Sequence, residues 1–141
     1  MKASRKQTAI ALTLLFLVAC ISQNLFAQPN SISNVTKNEY ALDNLKAGIN
    51  SENAGVRKSS IYFAGKYRIA EVVNTLAERL EKEEEPSIRL LIAYSLYEIK
   101  DADGMNAVKE LSLNDKNVKV KRMSFNLYDE YLNNSTLTAA L

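Results

Sequence analysis

Histidine and tryptophan are absent from this chain of 141 residues, and cysteine occurs once. Without histidine the commonest general base and metal ligand is missing. Gly-rich phosphate loops, the nucleophile elbow and metalloprotease motifs are lacking as well. Catalysis therefore has little to stand on, and neither a cofactor nor a metal is expected. Four glycines and two prolines are too few for a turn-rich β fold and favour long helices. Charge of one sign is also scarce, with 18 basic against 16 acidic residues. Lys2, Arg5 and Lys6 fall in a segment expected to be removed, and without them 15 basic residues face 16 acidic ones, a net of −1. A near-neutral mature chain gives no electrostatic case for nucleic acid. The length leaves room for one domain.

Long apolar runs are confined to the start. Lys2, Arg5 and Lys6 precede an apolar stretch over residues 9–21, interrupted only by Thr13, and Leu25-Phe26-Ala27 ends in a small residue. This is the anatomy of an export signal over residues 1–27, too short to span a bilayer permanently. It places the mature protein in a bacterial periplasm or outer envelope. Two cleavage points are open. Leu17-Val18-Ala19-Cys20 matches a lipobox, which would put a lipid on Cys20, and Ala27 suits plain cleavage. Plain cleavage would leave no cysteine, hence no disulfide and no thiolate site. Contact with a membrane is expected only through this leader or that lipid.

Beyond the leader, two stretches read as one template laid down 32 residues apart. Val56-Arg57 opens the first and Ile88-Arg89 the second, and each is followed by another apolar-periodic segment. Two helix-like segments per period in the low thirties are the mark of a stacked helical solenoid. Residues 28–37 are polar and read as a flexible tether. The repeat domain should cover residues 38–132, leaving 133–141 as a frayed tail.

Within that domain the spacing predicts a first helix with Leu42, Leu45 and Ile49 on one face. A second, over about residues 54–67, should bury Val56, Ser60, Phe63, Ala64 and Tyr67. A third, over about residues 70–82, should bury Val73, Leu76 and Leu80. The acidic run Glu83-Glu84-Glu85 before Pro86 marks the next helix start, as solvated charge. That helix carries Ile88, Leu91, Ile92, Ser95, Leu96 and Ile99. Met105, Val108 and Leu111 mark a fifth, and Val120, Ser124, Leu127, Tyr128 and Tyr131 a sixth.

On these residues the chain resembles the HEAT-repeat family in its short bacterial form, the HEAT-like or lyase-type repeats. Val56-Arg57, Gly65, Val72-Val73 and Leu76 fit that unit, and Ile88-Arg89, Ala93, Leu96, Ile99, Asp101 and Val108 fit it again. Val120-Lys121 opens a third copy. Ile69 stands at the turn position that Asp101 holds one repeat later, and Tyr97 stands where the first copy has Gly65. The expected fold is all-α: a short right-handed α-α superhelix, a helical-repeat solenoid of about six helices. The resemblance implies that the second helices line a concave binding face.

Asn74 and Glu78, with their equivalents Asn106 and Glu110, stand opposite the buried stripes and are the candidate protein-binding residues; a solvated helix face would look the same. Tyr62 and Tyr94 recur on the polar side of the first helices, either as partner anchors or as rings laid over a neighbouring helix. Arg57, Arg89 and Lys121 recur as well. They read as a basic ladder for an acidic ligand or as structural ion pairs, with Glu52, Glu84 and Asp115 near enough to serve. The function this favours is a non-catalytic protein-binding adaptor or assembly module. A small-ligand-binding or lyase/chaperone-like HEAT protein is the alternative. Self-association is also open, through end helices carrying Leu42, Leu45 and Ile49 or Leu127 and Tyr131.

Overall fold

The computed structural model describes residues 29–139, with side chains through Ser135. The leader and Cys20 lie outside the described residues. Seven α-helices follow one another: α1 (Ile32–Val35), α2 (Ala41–Ile49), α3 (Ala54–Lys66), α4 (Val73–Lys82), α5 (Pro86–Ile99), α6 (Ala102–Asn114) and α7 (Val118–Ala139). A 3₁₀ turn, Ala70–Val72, leads into α4. The described residues contain no strand, and a single parallel bridge pairs Asn30 with Ile69. The fold is all-α.

The 32-residue template is visible in the elements themselves. Helices α3, α5 and α7 begin at 54, 86 and 118, and the 3₁₀ turn and α6 begin at 70 and 102. Starts and stops recur with the same chemistry. Asn53 Oδ1 accepts the Gly55 and Val56 amides at 2.9 and 3.2 Å, and Asn117 Oδ1 accepts those of Lys119 and Val120 at 3.0 and 3.2 Å. Between them, Pro86 occupies the first turn of α5, where its missing N–H costs nothing. After α3 and α5 the chain turns through left-handed residues, Arg68 at φ 53° and Lys100 at φ 61°. Asp101 then caps α6 by accepting the Asp103 and Gly104 amides.

Packing follows the same repeat. Helix α3 lies against α2 and α5, α5 against α7, and α4 against α6. Ile61, Leu76, Ile92, Leu96 and Val108 are fully buried along this line. Each such side chain contributes about 1.5–3 kcal/mol of burial. The stripes expected for α4 (Val73, Leu76, Leu80) and α5 (Ile88, Ile92, Ser95, Leu96, Ile99) are buried. In α5 Leu91 is half-buried against the same core.

Helix α3 departs from expectation. Val56, Phe63 and Tyr67 are exposed, at 47%, 47% and 38%, while Ile61, Ala64, Gly65 and Arg57 turn inward. Helix α2 precedes α3 and covers only part of this side: Gly48 lies against the half-buried Ser60, and Val56, Phe63 and Tyr67 keep much of their surface exposed. The ends also differ from expectation. Ile49 and Leu127 are buried, and Leu42, Leu45 and Tyr131 are partly buried against the core.

The segment read as a tether is held from Asn30 onward. The Asn30 amide donates to the Arg68 carbonyl at 2.7 Å, and the Ala70 amide donates to the Asn30 carbonyl at 2.9 Å. Glu71 accepts the Ser31 hydroxyl at 2.5 Å and the Ile32 amide at 3.2 Å. At the other end α7 continues helically through Ala139, past the point where fraying was expected.

Candidate functional site

A groove of about 640 Å³ lies between the C-terminal halves of α4 and α6. Ala77 and Leu80 from α4 and Ala107 and Leu111 from α6 supply an apolar strip. Glu81, Lys82 and Glu84 stand on one side, with Glu110, Asn114 and Lys116 on the other. Both signs of charge therefore line its edges.

Arg89, Glu83 and Asp115 also line it, and they belong to a pattern of recurring arginines. Arg89 grips Asp115 through two bonds, Nε to Oδ2 at 2.6 Å and Nη2 to Oδ1 at 2.9 Å. Its Nη1 donates to the Glu83 and Glu84 carbonyls at 3.2 and 2.8 Å. Arg57 repeats the pattern one unit earlier, with Nε on Glu83 Oε2 at 3.0 Å and Nη1 on the Ser51 and Glu52 carbonyls at 2.8 and 3.0 Å. The fork of a guanidinium suits this combination of one carboxylate and two carbonyls. The structural reading of Arg57 and Arg89 is the one the molecule uses. Glu52 and Glu84 serve through their carbonyls, while Glu83 and Asp115 supply the carboxylates. Lys121 takes the third position and is half-buried.

Glu83 overturns its reading as solvated charge. It is 6% exposed, and Oε2 also accepts Nη2 of Arg79 at 2.8 Å, while Oε1 accepts the Glu85 amide at 3.0 Å. Burial pushes its carboxyl upward, but the Glu85 amide, the bond from Arg79 and the charges of Arg79 and Arg57 outweigh burial, so it titrates below the usual carboxylate value. Asp115 behaves alike. Burial raises it, and the Arg89 bond, the Asn117 amide and the Arg89 charge bring it lower still. Arg89, Glu83 and Asp115 are thus already engaged within the protein. What remains to a visitor is the apolar strip and the charged edges.

Asn74, Glu78, Asn106 and Glu110 are all exposed on α4 and α6. Glu110 alone of the four lines the groove, where Asn114 Nδ2 donates to it at 3.0 Å. Tyr62 and Tyr94 lie apart from it on α3 and α5, at 51% and 40% exposure. Tyr62 joins an aromatic patch on α3. Its ring lies 5.9 Å from that of Phe63, Phe63 stacks on Tyr67 at 6.1 Å, and Lys66 Nζ sits 5.8 and 5.6 Å from the Tyr62 and Tyr67 rings. Lys82, Glu81 and Lys116 were not singled out by the sequence. The signal that could have found them is the Arg-to-acid spacing, Arg57 to Glu83 and Arg89 to Asp115, both 26 residues.

Among the described residues no group of three or more histidine, cysteine or acidic side chains could hold a metal ion. No described helix is long and apolar enough to cross a membrane. No protein-family model matches the chain, and neither a curated protein nor a solved structure is significantly similar to it.

Proposed function

We propose that the protein is a non-catalytic adaptor or assembly module of the bacterial envelope. It would be a short HEAT-like array, coiled as a right-handed superhelix, that takes a segment of another protein into the groove between α4 and α6. The groove itself carries this reading: an open trough with an apolar strip between edges of mixed charge. Glu83, Arg89 and Asp115 in its lining are spent on internal ion pairs, which removes the poised acid or base that a lyase-like reading needs. A peptide with one or two apolar side chains and flanking charges of both signs is the complementary ligand.

The test is a photoreactive side chain at Glu110 in intact cells, followed by mass spectrometry of what becomes attached. One protein joined at Glu110, and lost when Ala107→Arg fills the groove of an otherwise folded chain, is the expected result. Attachment unaffected by Ala107→Arg, or none at all, overturns the adaptor reading. A thermal shift of several degrees with one small molecule would favour the small-ligand alternative instead, because a ligand held by the folded state stabilises it.

A further inference from the structure

We propose that the end of α6 and the outer edge of the first two turns of α7 rest on an anionic lipid surface. Leu113, Val118 and Phe125 enter the headgroup region, and Lys119, Lys121 and Arg122 meet the phosphates around them. The contact is separate from the leader and independent of what occupies the groove.

Charge is segregated in this stretch. Between Ser112 and Tyr128 the chain carries Lys116, Lys119, Lys121 and Arg122 against a single acid, Asp115. That acid is spent on Arg89. Among the described residues none gives the side chains of these four cations an ion pair or a hydrogen bond. The first turn of α7 also holds no acid, although the positive end of a helix favours one. Arg57 and Arg89 hold the equivalent places in α3 and α5 and turn inward to Glu83 and Asp115. Lys121, third in that series, finds no such carboxylate. Cations are thus kept where they cost local stability and have no internal use, which is the mark of a surface with an external task.

Large apolar side chains stand among these charges. Val118 is 79% exposed, Phe125 56% and Leu113 55%. Val118 and Phe125 are two turns apart on one face of α7, with Arg122 between them. Helix α6 brings Leu113 to the same edge. Lys109 Nζ lies 6.0 Å from the Tyr128 ring, so the side of α6 that carries 109 and 113 runs along the side of α7 that carries 128 and 121. One turn beyond Phe125, Asp129 accepts Asn133 Nδ2 at 3.2 Å and marks where the contact ends.

Lipid fits this mixture better than protein does. The core of a protein interface is depleted in lysine. Exposed apolar side chains flanked by Lys and Arg are instead the pattern of a helix lying in a membrane interface. Long basic side chains lay their stems on the apolar phase there and lift the charge to the phosphates. Bulk charge would not produce the attraction, since the chain is +2 with the leader and −1 without it.

The test is co-sedimentation of the native protein, with whatever amino terminus the cell leaves, on phosphatidylcholine vesicles with and without about 30% phosphatidylglycerol. Each cation near an anionic surface strengthens binding about fivefold, so the anionic vesicles should bind it at least about tenfold more tightly at low salt. Lys119→Glu with Arg122→Glu should abolish that preference. Lys66→Glu with Lys82→Glu, equal in net charge, should keep it. Phe125→Ser should weaken binding to the anionic vesicles at least about fivefold. Circular dichroism checks that the variants fold, and Lys119→Gln with Arg122→Gln replaces the first pair if it does not. Equal binding to both kinds of vesicle, as an acyl chain on the leader alone would give, overturns the proposal. So does a preference that Lys66→Glu with Lys82→Glu removes as fully as the α7 pair does. Binding to neither kind overturns it as well, and leaves an acidic protein as the partner of these cations.

Discussion

A Cβ added to Gly65 would stand 2.7 Å from Ser95 Cα, so at this pair α3 and α5 approach too closely for any side chain on α3. The hydroxyl of Ser95 uses that proximity to reach the Ile61 carbonyl. Gly65→Ala must push the two helices apart, because the obstacle is backbone and cannot swing away. Overpacking of this kind costs about 1–3 kcal/mol, of which helix propensity returns at most about 1. A urea titration should place the midpoint of Gly65→Ala below that of the parent, and a stabilised variant would contradict this account of the junction.

Arg89 and Asp115 form the most deeply buried ion pair among the described residues that make one, with side chains 6% and 3% exposed. Arg89→Met strands the Asp115 carboxylate and leaves the Glu83 and Glu84 carbonyls without their donor. Removing one partner of such a pair destabilises by about 3–5 kcal/mol. Arg89→Met combined with Asp115→Asn should be less damaging than the sum of the two, because the second change removes the stranded charge. Additive losses across that cycle would mean that the two side chains do not act on each other.

Stability should fall in acid. Glu71, Glu83 and Asp115 are held below their ordinary values of 4.5, 4.5 and 3.8 in the fold, so the unfolded chain takes up these protons first. Their contribution is fully present above pH 5 and disappears as pH drops through the lower folded values. Tyr97 gives the mirror image. Burial, then its hydrogen bond to the Glu130 carboxylate, pushes the phenol up to about 12, so stability should decline between pH 10 and 12 as the unfolded tyrosine ionises first. Melting temperatures across pH 2–12, repeated with Glu83→Gln and Tyr97→Phe, check both arms. Each variant should flatten its own arm and leave the other alone.

Ser124 is fully buried, and its hydroxyl has no hydrogen-bond partner among the described residues. The equivalent position in α5 is Ile92, an apolar residue buried completely. Ser124→Ala removes an unsatisfied polar group and should stabilise by about 1 kcal/mol. That amounts to a rise of about 4–8 °C in melting temperature for a domain near 100 residues. A lower melting temperature would show that the hydroxyl has a partner after all.

Much of this architecture was legible in the sequence because the template repeats. Val73, Leu76 and Leu80 disclose their buried face through spacing alone, and so do Met105 and Val108. The same spacing misleads at Val56, Phe63 and Tyr67. Periodicity tells which residues share a side of a helix, and cannot tell whether another element lies against that side. Glu83 was missed for a different reason. An acidic run before a proline looks solvated, and only the fold brings Arg57, 26 positions upstream, into its reach. The groove was harder still, since Arg89, Asp115 and Lys116 come to it from helix ends and turns whose neighbours are fixed by tertiary packing. Glu110 was found because it sits mid-helix, on a face that spacing can identify.

Glu83 answers to three masters at once: Arg57 in α3, Arg79 in α4 and the amide of Glu85 that opens the next unit. A repeat protein ordinarily consists of parts that can melt one after another, each leaning only on its neighbour. Here a single carboxylate belongs to two consecutive units, so neither can let go without stranding charge in the other. The two units that Glu83 joins are therefore expected to open together, in one transition rather than two.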